Sequence, residues 1–153
     1  SKAMETKQIT RPDTQLAMLA SMQAKKFIEI FVTIADTQRQ SVHNFYRPNS
    51  TLLWNGIALK GREHIAAGLK KLPGTKHTIE TLDAQPIIRP NTFPHTSFVV
   101  TCTGTIKYGM KVKKAFHQHF VLERNPDKNT QDSTQYYILM HTFRYRDSKR
   151  KFA

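Results

Sequence analysis

FHQHFVLE, residues 116–123, changes character at every second position. In an extended chain successive side chains point to opposite faces. Phe116, Phe120 and Leu122 then share one side, and His117, His119 and Val121 share the other. The phenylalanine side is the natural core. The histidine side poses the functional question, because paired histidines on a strand suit a metal, a general base or a covered surface. The end of the chain repeats the split: Phe143 and Tyr145 oppose Thr142, Arg144 and Arg146. With Thr101, Thr103, Thr105 and Met140 on the same outward parity, the second face mixes polar and apolar groups. Such a face invites a partner, although antiparallel sheets also leave one face to water.

Working outward, period-two segments at 77–87, 95–108, 113–124 and 135–146 predict four consecutive strands. Arg89-Pro90-Asn91, Tyr108-Gly109-Met110 and a polar loop over 125–134 connect them. Upstream the period is helical. Ala24, Phe27, Ile28, Phe31, Ile34 and Ala35 recur at spacings of three and four, one apolar stripe on a long helix that Asp13 or Thr14 can cap. A shorter helix over about 38–46 turns Val42, Phe45 and Tyr46 inward and stops at Arg47-Pro48-Asn49. TLLWNG, 51–56, is a short strand turning at Asn55-Gly56 into 57–61. A third helix covers 62–72, closed by Pro73-Gly74. The fold class is α+β, one domain over 14–147. Residues 1–13, polar and containing Pro12, read as a flexible tail, and 148–153 as a basic one.

The chain has 153 residues and a formal net charge of +13. That balance favours nucleic acid, anionic surfaces or acidic proteins as partners. Candidate RNA-contacting groups are Lys107, Lys111, Lys113 and Lys114 in one hairpin and Lys149, Arg150 and Lys151 at the end. Lys60, Arg62, Lys70, Lys71 and Lys76 lie around the third helix. The single cysteine, Cys102, sits in an apolar run and reads as a buried small hydrophobe in a reducing compartment. No run approaches the roughly 18 apolar residues of a membrane span, and no signal-peptide pattern is visible.

A metal held by His117 and His119 needs further ligands. Glu123 is too far along the strand to share an ion with His117, which leaves His141 on a neighbouring strand. Acid–base catalysis needs a histidine and a carboxylate in reach; Asp83 with His141 is the pair available, with His43 and His64 as further candidates. No nucleotide-binding glycine fingerprint is present. No metal, cofactor or catalytic residue is assigned.

Five segments in order, FYRPNSTLLWNG, ALKGREHIAAGLKKLP, LDAQPI, FHQHFVLE and FRYRD, resemble the nuclear transport factor 2-like family, and within it the export-related branch. The resemblance runs from about Ala24 to Asp147. It implies a cone: a strongly bent, mainly antiparallel sheet wrapped on one long and two shorter helices. It also implies a non-catalytic adaptor whose open sheet face mates with the related domain of the large mRNA export receptor subunit. Arg144, in the family's terminal F-R-F pattern, would pair with a carboxylate there. His117, His119, Val121, Thr142, Met140, Thr103 and Thr105 would line the interface. Further implications are a nuclear and nuclear-pore location, shuttling to the cytoplasm, and pore phenylalanine-glycine repeats reached through the heterodimer. The alternatives are a homodimeric carrier of the GTPase Ran in its GDP form, or an enzyme of the same fold. KYGMKVKK, 107–114, lacks a carboxylate at the cavity mouth, which disfavours Ran.

Overall fold

The computed structural model describes residues 2–87, 97–111, 113–125 and 135–146, with residues 2–13 as backbone only. The first helix, α1, runs Lys2–Thr37. It therefore starts well before the expected cap, and the segment read as a loose tail is helical. Ala3, Met4, Glu5, Lys7 and Gln8 are good helix formers, and the helix continues through Pro12. Ala20, Ala24, Phe27, Ile28 and Phe31 form its buried face.

A 3₁₀ helix, Arg39–Phe45, follows and buries Val42 and Phe45. Then comes β1, Tyr46–Trp54. Tyr46 thus opens a strand rather than closing a helix. Arg47-Pro48-Asn49 lies inside β1, at a register shift between Tyr46 and Thr51. Pro48 has no N–H for the ladder. Ser50 fills the gap: its hydroxyl accepts the Arg47 N–H at 2.8 Å and donates to the Ile138 carbonyl. β2, Ile57–Lys60, pairs antiparallel with β1. Asn55 and Gly56 between them both have positive φ, 47° and 89°, as a two-residue type I′ turn requires.

α2 spans Arg62–Lys70, and β3 Thr75–Ile87, β4 Ser97–Tyr108, β5 Lys113–Arg124 and β6 Tyr136–Tyr145 complete the chain. The six-stranded sheet has the order β2-β1-β6-β5-β4-β3. All neighbours are antiparallel except β1 and β6. The helices cover one side of the sheet. There Phe27, Phe31, Phe45, Phe116, Phe120, Leu122 and Phe143 form the core with Cys102, whose thiol burial pushes up to about 12. The phenylalanine parity of 116–122 is the buried one.

Candidate protein interface

The antiparallel registers turn the outward parity into rows that cross the sheet. One row is Asp83, Thr101, His119, Thr142 and Leu53, from β3 through β4, β5 and β6 to β1. The next, toward the β4–β5 turn, is Thr81, Thr103, His117 and Arg144. On the other side lies Gln85, Val99, Val121, Met140 and Thr51. Val99 and Met140 keep 38% and 42% of their surface in solvent. The eight residues expected on this face, Arg144, His117, His119, Val121, Thr142, Met140, Thr103 and Thr105, all lie on it. Val99 escaped the sequence reading although it shares parity with Thr101; it completes an apolar row with Val121 and Met140. Leu53 and Ala58 extend the apolar area onto β1 and β2.

Arg144 reaches over the β1–β2 turn: a Cβ on Gly56 would stand 4.0 Å from its Nη2. Asn55 locks that turn to β6, donating its N–H to the Phe143 carbonyl at 2.8 Å and accepting the Tyr145 N–H at 2.9 Å. The guanidinium thus lies beside an anchored turn, and among the described residues it has no ion pair. His117 faces it across the strands, with the His119 ring 5.7 Å away. Partial burial, then the charges of His119, Arg144 and Arg146, hold the His117 pKa below the usual histidine range. Of the residues in these three rows, only Asp83 carries a carboxylate.

The metal and catalytic alternatives meet the sheet itself. His141 points to the core, not to His117 and His119. Its Nδ1 bonds the Tyr46 hydroxyl at 2.9 Å and its Nε2 the Gln118 Oε1 at 2.8 Å. Burial, helped by the charge of His77, pushes its pKa down to about 3. Asp83 is exposed on the opposite face, so the pair offered for catalysis is separated by the sheet. His43 and His64 bond the Gln40 and Lys60 carbonyls through Nδ1, at 2.8 and 2.9 Å. Among the described residues no three histidine, cysteine or carboxylate side chains converge as metal ligands.

A histidine–carboxylate pair does exist, where spacing gave no hint of it. Asp36, at the end of α1, accepts His77 Nδ1–H at 2.6 Å, the His77 backbone N–H at 2.9 Å and the Thr75 hydroxyl at 2.8 Å. Burial works to raise its pKa, but the two His77 bonds, the His77 charge and Thr75 together hold it low. Both oxygens are committed to tying α1 to β3. The cavity beside them, lined by His77, His141, Gln118, Tyr46 and apolar neighbours, measures about 40 Å³, room for a few waters.

The basic hairpin is divided by the fold. Lys107 and Lys113 are paired across β4 and β5 on the open face, and Lys111 is exposed in the turn. Lys114 turns to the other face, its Nζ 4.6 Å from the Tyr145 ring centroid. Lys149, Arg150 and Lys151 lie outside the described residues.

The model of the nuclear transport factor 2 (NTF2) domain matches residues 23–145. The chain belongs to this family. It is similar to NTF2-related export protein 2 of Bos taurus, 29% identical over 124 residues, covering 81% of this chain and 85% of that protein. Among solved structures it resembles nuclear transport factor 2 from Cryptosporidium parvum, with a TM-score of 0.70 at 23% identity over 86% of this chain and 98% of that one. It also resembles a chain of the complex described as Sac3N peptide bound to Mex67:Mtr2. That TM-score is 0.67 at 17% identity, covering 83% and 99%. At those identities the two structures speak to the NTF2-like fold, which the six-stranded mixed sheet and its helices share. No helix among the described residues is long and apolar enough to cross a membrane.

Proposed function

We propose that this chain is the non-catalytic small subunit of a nuclear mRNA export receptor, acting as a heterodimer with the NTF2-like domain of the large subunit. It would work in the nucleus and at the nuclear pore, with pore repeats reached through the assembled pair. The observation that carries this reading is the open sheet face. Its Val99–Val121–Met140 row is apolar and partly exposed, and Arg144, two register rows away on the same face, has no ion pair among the described residues. An apolar patch with an arginine anchor on the same face is the anatomy of a protein interface.

The charge on that face favours an unlike partner over a second copy. A two-fold pair presents the same patch from both sides. Arg144, Arg146 and His117 would then be present on both sides of the contact, against the carboxylates of Asp83 and Glu123 on that face. A related domain bearing carboxylates at those points fits better. Both oxygens of Asp36 are occupied, and Asp83 and His141 are parted by the sheet, so neither supports a catalytic reading.

Sedimentation equilibrium of the purified chain, alone and with the NTF2-like domain of its large-subunit counterpart, tests this. The expected result is a monomer that converts to a one-to-one complex. A stable dimer of the chain alone, together with retention of Ran-GDP, would overturn the reading in favour of the homodimeric carrier.

A further inference from the structure

The end of the sheet at the β4–β5 turn carries a different surface. Lys76, Lys107 and Lys113 stand side by side on three adjacent strands in one register row. With strands about 4.8 Å apart, the row spans about 10 Å. Like charges directly opposite in a sheet repel, so this row exists against a cost that an anion would relieve. The turn adds exposed Lys111. The fold then brings in a cluster that the sequence keeps apart. The Gly109 N–H donates to the Gly74 carbonyl at 2.8 Å, pinning the turn to the loop after α2. That helix ends in Lys70, with Lys71 next to it, and both are exposed. Among the described residues none of these ammonium groups has an ion pair.

We propose that this lysine cap binds the phosphate backbone of single-stranded RNA without reading its sequence. The neighbours of the row are Thr78, Thr105 and Ala115, which offer an acidic peptide no apolar anchor. Met110, at the tip of the turn, is 97% exposed. A ligand held here gains its affinity from repeated negative charge, the property of a phosphate chain. The row provides no aromatic platform on which bases could stack, so it has no means of selecting them. The inference does not rest on the heterodimer: from Val99 to Lys107, β4 runs roughly 26 Å, which separates the cap from the apolar row.

The test is fluorescence polarisation of a labelled oligouridylate with the full chain across a salt series. Contacts to about five phosphates give a slope of log K against log salt near −3.5, about −0.7 per phosphate. K107E/K113E and K70E/K71E should each weaken binding about tenfold or more. K25E/K26E, which changes the same amount of charge at exposed positions on α1, should weaken it less than about twofold, since phosphate contact is local. Unchanged melting temperatures confirm that each variant is folded. Absence of binding at low salt, or equal loss in all three double variants, overturns the proposal. So does competition by polyglutamate as strong as that by RNA, which would assign the cap to an acidic protein segment.

Discussion

His141 and Arg144 stand on the same strand, β6, and on opposite faces of it. His141 is buried, with both ring nitrogens hydrogen-bonded and its ring stacked on Phe120 at 4.1 Å. Arg144 lies partly in solvent, near the β1–β2 turn and without an ion pair among the described residues. Polar groups that belong to a chain's own core find their partners within it. The helix-packed side of this sheet therefore satisfies His141 within the chain, and the open side leaves Arg144 without an ion pair among the described residues. The difference locates folding energy on one face and recognition on the other. Substitutions that separate the two properties test it.

The largest effect is expected on the helix-packed side. Phe120 packs edge-on against Phe27 and Phe31 and flat on His141. Phe120→Ala should cost about 3–5 kcal/mol of stability, read by urea denaturation of the chain alone. On the open side, Arg144→Ala should leave that denaturation midpoint unchanged. It should weaken the complex with the large-subunit domain by about 2–5 kcal/mol, much of it the cost of stranding the partner's charge. Arg144→Lys should recover only part, because an ammonium lacks the fork that holds a carboxylate at two points. A double-mutant cycle by titration calorimetry measures the coupling, and zero coupling to every partner carboxylate would sever Arg144 from recognition. Loss of stability equal to that of Phe120→Ala would erase the distinction between the faces.

Alternation and helical spacing made much of the helix-packed side legible. The α1 stripe and the phenylalanine parity of β5 were readable because each is a local pattern. The pairing of β1 with β6 was not. It is parallel, joins segments about 90 residues apart, and has a register set by the Pro48 irregularity rather than by a turn. The same reason hides Asp36 and His77, which meet only because α1 ends beside the start of β3. On the open face the eight expected residues followed from parity, and Val99 was within reach of the same argument. The cap at Lys70 and Lys107 was not, since one backbone bond, Gly109 to Gly74, creates it.

Gly104 is a further case of structure that composition conceals. Within FVVTCTGTI it reads as an ordinary strand residue. In the sheet it lies where β3 changes register between Ile79 and Thr81, and a Cβ there would come 2.0 Å from the Thr78 carbonyl oxygen. Strand glycines mark such close backbone approaches. Gly104→Ala should force β3 and β4 apart at a cost of about 1–3 kcal/mol. Hydrogen exchange should quicken along β3 while β1 and β2 stay protected. A neutral substitution would mean that the bulge at Glu80 can shift without loss.

The smallest effect is a pH dependence of the complex, and its sign discriminates between partners. Partial burial, and then His119, Arg144 and Arg146, already disfavour protonation of His117 in the free chain. A partner that covers His117 without offering it a carboxylate disfavours protonation further. The free chain then takes up a proton at a pH where the complex does not. Affinity should be level above the ordinary histidine range, about 6.5, and fall below it, by at most about tenfold per pH unit. The same depression acts on folding: the unfolded chain binds the proton first, so this residue's contribution is complete above about 6.5 and declines as pH drops toward the lower folded value. Dissociation constants measured from about pH 8 to 5.5, with His117→Gln as the reference, isolate the residue. Affinity that rises on acidification would place the partner's carboxylate opposite His117 and leave Arg144 a spectator.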